Sequence, residues 1–303
     1  MENRSLCDWF VGSSASTVTI EGGPKGAPRK NPTRHRGLAV AGMYAIPKKA
    51  FTSKHRKRLT IEPRQTFGAK KTKKDKAGMA AEEVAEDEPD DTAFPIYDTV
   101  SGPPGTVLVP REYGRIHWGG AADTSGLSDG VPLPPGTVFG GKLRTSPEYP
   151  QHRAFRALER YYDVSKRSFG GGLLVVKCGF GKTVLAAALI ARLGRRTIFF
   201  VAQKRLGVQA EETFAWALPG LRVGWVQGPR DEWDADIVIC TVQTIVSPSR
   251  AYTEADFAPF GLAIFDEAHH HGAKTFSAVF PLLAARWRLG LTCLLYTSPS
   301  PRD

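Results

Sequence analysis

A chain of 303 residues, 42% of them hydrophobic, has enough material for one large domain or two ordinary ones. No run of about 18 uncharged apolar residues occurs, and the N-terminus lacks the apolar stretch of a secretory signal. That excludes a membrane-spanning helix and favours an intracellular protein, cytoplasmic or nuclear. The formal net charge of +11 and the sequence pI near 9.6 favour a polyanionic partner, nucleic acid or an anionic membrane. Four cysteines, Cys7, Cys178, Cys240 and Cys293, form no C-x-x-C pair, which argues against structural zinc and a disulfide framework and fits a reducing compartment.

Residues 1–36 are rich in Gly, Ser, Pro and Arg, show neither a helical nor a strand period, and are expected to be disordered. The stretch MYAIPKKAFTSKHRKRLTIEP (43–63) is denser in apolar residues and can hold short ordered pieces. GAKKTKKDKAGMAAEEVAEDEPDD (68–91) runs from basic to acidic, cannot bury a core, and reads as a flexible linker. Lys54, Arg56, Lys57, Arg58, Lys70, Lys71, Lys73 and Lys74 make this part of the chain basic. A solvated charge run, an import signal and an arm that contacts phosphates all fit them. Further on, GTVLVPREYG and GTVFGGK are short β-branched runs between Gly and Pro, and predict a small β-rich lead-in within 37–142.

From about residue 143 the texture changes. PQHRAFRALERYY (150–162) has helical spacing, and LLVVK (173–177) is the continuous apolar run of a buried parallel strand. KTVLAAALIARLG (182–194) reads as a helix ending at Gly194, RTIFFVA (196–202) as a strand, and RLGVQAEETFAWAL (205–218) as a helix. Strands are predicted at LRVGWVQ (221–227), DIVICTV (236–242), LAIFDEA (262–268) and RWRLGLT (286–292), with a helix at AKTFSAVFPLLAA (273–285). Strands alternating with helices predict an α/β domain with a mostly parallel sheet covered on both faces.

Within it, VVKCGFGKTV (175–184) carries Gly181-Lys182-Thr183 between a predicted strand and a predicted helix. The usual phosphate-loop spacing has one more glycine, where this chain has Val176. Gly179 and Gly181 lack Cβ atoms, so the backbone N–H groups around Phe180 can turn toward an anion at the N-terminus of the following helix. Lys182 can reach β- and γ-phosphates, and the Thr183 hydroxyl can hold Mg²⁺. A tight turn with a surface lysine is the plain alternative. Downstream, a predicted strand ends in Asp266-Glu267-Ala268-His269. Carboxylates at a strand end of an open α/β sheet face the ligand crevice. Asp266 can bind Mg²⁺, through water, and Glu267 can act as general base toward an attacking water. The run His269, His270, His271 has no companion ligands at zinc spacing.

Together, C-G-F-G-K-T and D-E-A-H resemble motifs I and II of superfamily 2 helicases and translocases, in which the first small residue of the phosphate loop is often replaced. The resemblance covers roughly 143–292. It implies a single RecA-like domain, ATP and Mg²⁺ as cofactors, nucleic acid (DNA before RNA) as partner, and a coupling role for His269. GKLRTSPEYPQHRAFRAL is similar to the leading L-R-x-x-Q segment and implies Gln151 as an adenine reader. VAQKRLGVQ resembles motif Ia, implying backbone contacts by Gln203 and Lys204. TVQT (241–244) resembles the later strand-binding motif, implying contacts by Thr241 and Thr244; ordinary polar residues at strand ends would look the same. RLGLT resembles the start of motif III. The wording, including the lead-in, resembles DEAH-type helicases of large DNA viruses and restriction-enzyme helicase subunits. A translocase that does not separate strands, and a basic nucleic-acid-binding module, remain open as functions.

After Thr292 the chain reads CLLYTSPSPRD. This resembles the translation of a transposase-library sequencing adaptor, so 293–303 are expected to be a scar on a truncated frame. The resemblance further implies a second domain that supplies arginine fingers. Without it, an interdomain face is expected to lie exposed around Lys182, Asp266 and Thr292.

Overall fold

The computed structural model describes residues 19–21, 38–40, 43–61, 94–119, 124–166, 168–247, 249–268 and 278–293. The first part holds β1 (Thr19–Glu21), β2 (Leu38–Val40), β3 (Met43–Pro47), α1 (Ser53–Arg58), β4 (Thr60–Ile61), β5 (Phe94–Pro95), β6 (Thr106–Pro110) and α2 (Arg111–Trp118). The second holds α3 (Gln151–Tyr161), β7 (Gly170–Val175), α4 (Lys182–Leu193), β8 (Thr197–Val201), α5 (Lys204–Ala217), β9 (Val223–Gln227), β10 (Arg230–Asp231), β11 (Ile237–Thr241), α6 (Val242–Val246), α7 (Glu254–Phe257), β12 (Leu262–Phe265) and β13 (Trp287–Thr292).

The main sheet runs β1-β7-β13-β12-β8-β11-β9-β10. Its six central strands are parallel, and β1 and β10 close the two edges antiparallel. Both faces are covered, which is why the strands read as unbroken apolar runs. Phe199, Val201, Ile237, Ile239, Leu262 and Ile264 point into one core with α3, α4 and α5. Their neighbours Ile198, Phe200, Val238, Cys240, Ala263 and Phe265 point into the other. Helix α4 is apolar nearly all round because Leu185–Ile190 are buried, and it stops at Gly194, whose φ of 63° costs a glycine little. The fold is therefore the α/β, mostly parallel RecA-like domain expected from the alternation of elements.

The lead-in is a module of its own chemistry. Strands β2, β3 and β6 form an antiparallel sheet, and β4 pairs with β5. Tyr44, Ile46, Leu59, Val107, Val109, Tyr113 and Trp118 make its core. Helix α2 crosses this sheet so closely that a Cβ on Gly114 would sit 2.3 Å from the Tyr44 ring.

Within 1–36, Thr19–Glu21 pair with β7 from Thr19↔Val175 to Glu21↔Leu173; the rest of that stretch lies outside the described residues, as does the 68–91 linker. Three expectations change. The β-rich lead-in contains a helix at REYGRIHW, because Pro110 ends β6 and Tyr113 and Trp118 then share one face into the module core. GTVFGGK forms no strand; it runs over α5, with Gly140 N–H on the Ala217 carbonyl. The helix expected over 273–285 is, in its described part, only a 3-10 turn at Phe280–Leu282. Pro281 has no N–H to continue a helix, and Leu283 is already extended.

Helix α2 also joins the module to the main sheet. Arg111 is buried and donates from Nη1 to the Ala285 carbonyl (2.9 Å) and from Nη2 to the Arg286 carbonyl (3.3 Å), just ahead of β13. A Cβ on Gly171 would meet the Glu112 side chain at 3.1 Å, so the glycine-only start of β7 is what lets α2 lie against it.

Candidate functional site

Because β7, β12 and β13 are parallel, their C-terminal ends lie on one edge of the sheet. The loop after β7 is pinned to that edge by Val176 N–H on the Thr292 carbonyl, 3.1 Å. Gly179 and Gly181 have φ of 74° and 88°, the left-handed values that turn successive N–H groups the same way. Gly181 is required twice over, since a Cβ there would also sit 2.4 Å from Gln151 Nε2. Phe180 is buried between these glycines and anchors the loop.

Gln151 is buried and binds protein at both ends of its carboxamide. Its Nε2 donates to the Phe180 carbonyl (2.6 Å), and its Oε1 accepts from Arg144 N–H (2.9 Å). These bonds use one donor and one lone pair of the two that each end has. Gln151 is thus first a strut that ties the segment before α3 to the phosphate loop. Tyr149, which no motif marks, stands beside it. The Tyr149 ring lies 6.1 Å from the Phe180 ring, with Lys177 Nζ 4.1 Å from its centroid and the Arg144 guanidinium at 5.4 Å. An aromatic two residues before the glutamine was the only signal available.

Lys182 opens α4 and its Nζ lies 3.1 Å from Glu267 Oε1. Burial pulls the ammonium pKa down, but the charge and hydrogen bond of Glu267, with Cys293 and Asp266 behind, hold it above its ordinary value. Thr183 follows, half-buried, on the first turn of α4. Asp266 is fixed at the end of β12 by its own N–H on the Phe200 carbonyl (2.9 Å), and its Oδ1 accepts from Glu267 N–H (3.0 Å). Glu267 has φ 44°, the one left-handed non-glycine among the described residues. Such a conformation persists only where the surroundings enforce it, and it clusters at functional sites.

Burial pushes the Asp266 carboxyl up to about 6, the neighbouring Glu267 adds to the rise, and Lys182 and the Glu267 N–H oppose it. The folded state therefore takes up this proton before the unfolded chain does. The contribution of Asp266 to stability falls as pH rises from about 4 to about 6 and is constant beyond. Asp266→Asn is expected to remove that fall, leaving the ligand-free protein more stable than wild type at pH 7 by about 2–3 kcal/mol. Thermal melting from pH 4 to 7.5 checks it; parallel curves for the two proteins would refute the assignment. The donor set suits a hard cation: a hydroxyl on Thr183, a carboxylate on Asp266 costly to keep charged, and no sulfur required.

The candidate nucleic-acid residues are brought to the same edge, one step along the sheet. Gln203 caps α5 after β8, and Lys204 is its exposed first residue. Thr241 ends β11 and its hydroxyl is 2.8 Å from that of Thr244 on α6. Strands β8 and β11 are neighbours and β8 adjoins β12, so this row continues the line of the phosphate loop and the carboxylates. His269 lies outside the described residues. The face expected to be exposed around Lys182, Asp266 and Thr292 is closed instead. Asp266 and Thr292 are buried, and the Lys182 side chain is 12% exposed because Glu267 covers its ammonium.

The family described as type III restriction enzyme, res subunit, matches residues 144–296. The chain belongs to this family. Its res-type region, a first RecA-like domain of superfamily 2, holds the glycine loop 179–183 and the Asp266-Glu267 pair. It is 32% identical over 123 residues to the Acanthamoeba polyphaga mimivirus protein named "Putative ATP-dependent RNA helicase L396", covering 41% of this chain and 23% of that one. It is 31% identical over 153 residues to "DNA 3'-5' helicase XPB" of Mycobacterium tuberculosis, covering 48% of this chain and 28% of that one. Among solved structures, the UvsW helicase from Bacteriophage T4 is 21% identical, with 53% of this chain and 57% of that chain covered and a TM-score of 0.39. The res-type chain spans about a quarter of the length of the curated relatives it matches. No helix among its described residues is long and apolar enough to cross a membrane.

Proposed function

We propose that this chain is the ATP-binding part, with a DEAH box, of a nucleic-acid helicase or translocase that acts on DNA before RNA. One observation carries the reading: Lys182 on the phosphate loop and the Asp266-Glu267 pair, 85 positions apart, meet at 3.1 Å on one sheet edge. The row Gln203, Lys204, Thr241 and Thr244 on the next strands supports a nucleic-acid track beside the nucleotide. On this reading Lys182 leaves Glu267 to meet the β- and γ-phosphates, Gly179, Phe180 and Gly181 present backbone N–H groups, and Thr183 and Asp266 hold Mg²⁺. Bound ATP and Mg²⁺ supply the phosphoanhydride and the charge that steadies its cleavage; Glu267, released from Lys182, accepts the proton of the attacking water. Gln151 holds the loop and has one donor and one lone pair left for adenine. His269 couples the two sites. The ATP-binding domain is taken as residues 143–292, behind a basic N-terminal region.

The family description and a relative named as a DNA helicase support DNA, while a relative named as an RNA helicase keeps RNA in view. The restriction-enzyme description also favours a second reading, a translocase that moves on duplex without separating it. The test is ATP hydrolysis with and without nucleic acid, together with strand displacement, on a chain that also carries the second RecA-like domain. Nucleic-acid-stimulated hydrolysis with displacement supports a helicase; stimulation without displacement supports the translocase. Hydrolysis indifferent to nucleic acid would refute both.

A further inference from the structure

The segment 43–61 carries six cations, Lys48, Lys49, Lys54, Arg56, Lys57 and Arg58, and no carboxylate. All six are exposed. They do not sit on a loose arm. Leu59, directly after α1, is fully buried in the lead-in core, and His55 on α1 packs into an aromatic nest. The His55 ring lies 4.7 Å from Trp118, 5.5 Å from His117 and 5.8 Å from Tyr113, with Nδ1 2.6 Å from the Tyr113 hydroxyl. Arg56 is held over the Phe51 and Tyr97 rings at 6.0 and 5.9 Å. With its inner side anchored this way, α1 holds Lys54 and Lys57, both exposed, on a fixed frame.

Among the described residues of this module the charge is not neutralised. Residues 43–61 and 94–119 contain eight cations and two carboxylates, Asp98 and Glu112. Asp98 Oδ1 accepts from Val100 and Ser101 N–H, and Glu112 pairs with Arg115 at 2.6 Å. The field is felt at His55, whose imidazole is held below its ordinary value by burial first and then by Arg58 and Lys54.

We propose that this face is a second nucleic-acid surface, separate from the β8–β11 edge, which grips the phosphate backbone of a duplex without reading its bases. A duplex has the densest charge of the available polyanions, about one per 1.7 Å of axis. Single strands are gripped by open aromatic platforms, whereas the Phe51 and Tyr97 rings here are overlaid by Arg56. Helix α1 has six residues, about 9 Å of length, too short to lie along a groove and read a sequence. Exposed cations on an anchored helix and the turn before it suit contacts to backbone phosphates.

The test uses the whole 303-residue chain and a fluorescent 20-base-pair duplex without nucleotide, with anisotropy read from about 50 to 300 mM salt. Lys54→Ala/Lys57→Ala is expected to weaken binding ~10-fold at 100 mM salt and to make the log–log salt slope shallower by about 1–2, as ~0.9 is lost per phosphate contact. Arg58 is left alone because it bonds Tyr113. Lys54→Arg/Lys57→Arg should keep the wild-type slope, which a folding defect would not allow, and melting should be unchanged in both. Lys54→Ala/Lys57→Ala should bind Mg-ATP like wild type, so failure of the nucleotide site and failure of this surface are told apart. An unchanged slope in the double alanine variant overturns the proposal. So does binding to phosphatidylserine vesicles with no binding to duplex.

Discussion

Lys182→Ala is expected to lower the affinity of this chain for Mg-ATP by ~100-fold or more, about 3 kcal/mol, measured by calorimetry. The Lys182 ammonium is held by Glu267 and nearly buried, 12% exposed, so contacts to phosphate oxygens would be little screened. The substitution also leaves Glu267 without its 3.1 Å partner. Melting in the absence of nucleotide separates that structural cost from the loss of binding. Equal affinities for wild type and variant would refute the assignment of the loop.

Glu267→Gln is expected to leave nucleotide binding intact, or tighten it a few-fold, while lowering turnover by ~10²-fold or more in a chain that carries both RecA-like domains. The amide keeps the side chain's size but cannot accept the water's proton. The tightening follows from the ligand-free pairing. Lys182 must leave a carboxylate before it can meet a phosphate, and a neutral amide competes less for it. Calorimetry and steady-state hydrolysis on the same variant check both halves. Retained hydrolysis would mean that another group is the base.

Much of the site was legible because its chemistry is local in sequence. A glycine pair before Lys182-Thr183 and an acidic pair after LAIF each declare a strand end, and a parallel sheet brings strand ends to one edge. The positions of α3, β7, α4, β8, α5, β9, β11 and β12 followed for a similar reason. Runs such as TIFFV and IVICT have side chains that only burial on both faces can accommodate, and α4 is marked by its start after Gly181 and its stop at Gly194. In its described part, the helix expected over 273–285 failed at a local feature that was visible, Pro281, but outweighed by apolar spacing.

Other features depend on which surfaces meet. The sequence by itself determined the α/β domain and put the glycine loop and the carboxylate pair at strand ends, because each follows from residue types a few positions apart. Only the tertiary structure decided that Gln151 braces the loop through the Phe180 carbonyl, and that Lys182 and Glu267 are paired in the ligand-free state. It alone decided that Arg111 reaches across to the carbonyls of Ala285 and Arg286, and that the basic run at 48–58 is partly a rigid helix on an aromatic base. These contacts join residues 29 to 175 positions apart. Propensity and periodicity describe how a segment arranges itself, and carry no information about which distant segment its polar atoms will find once the two cores have packed.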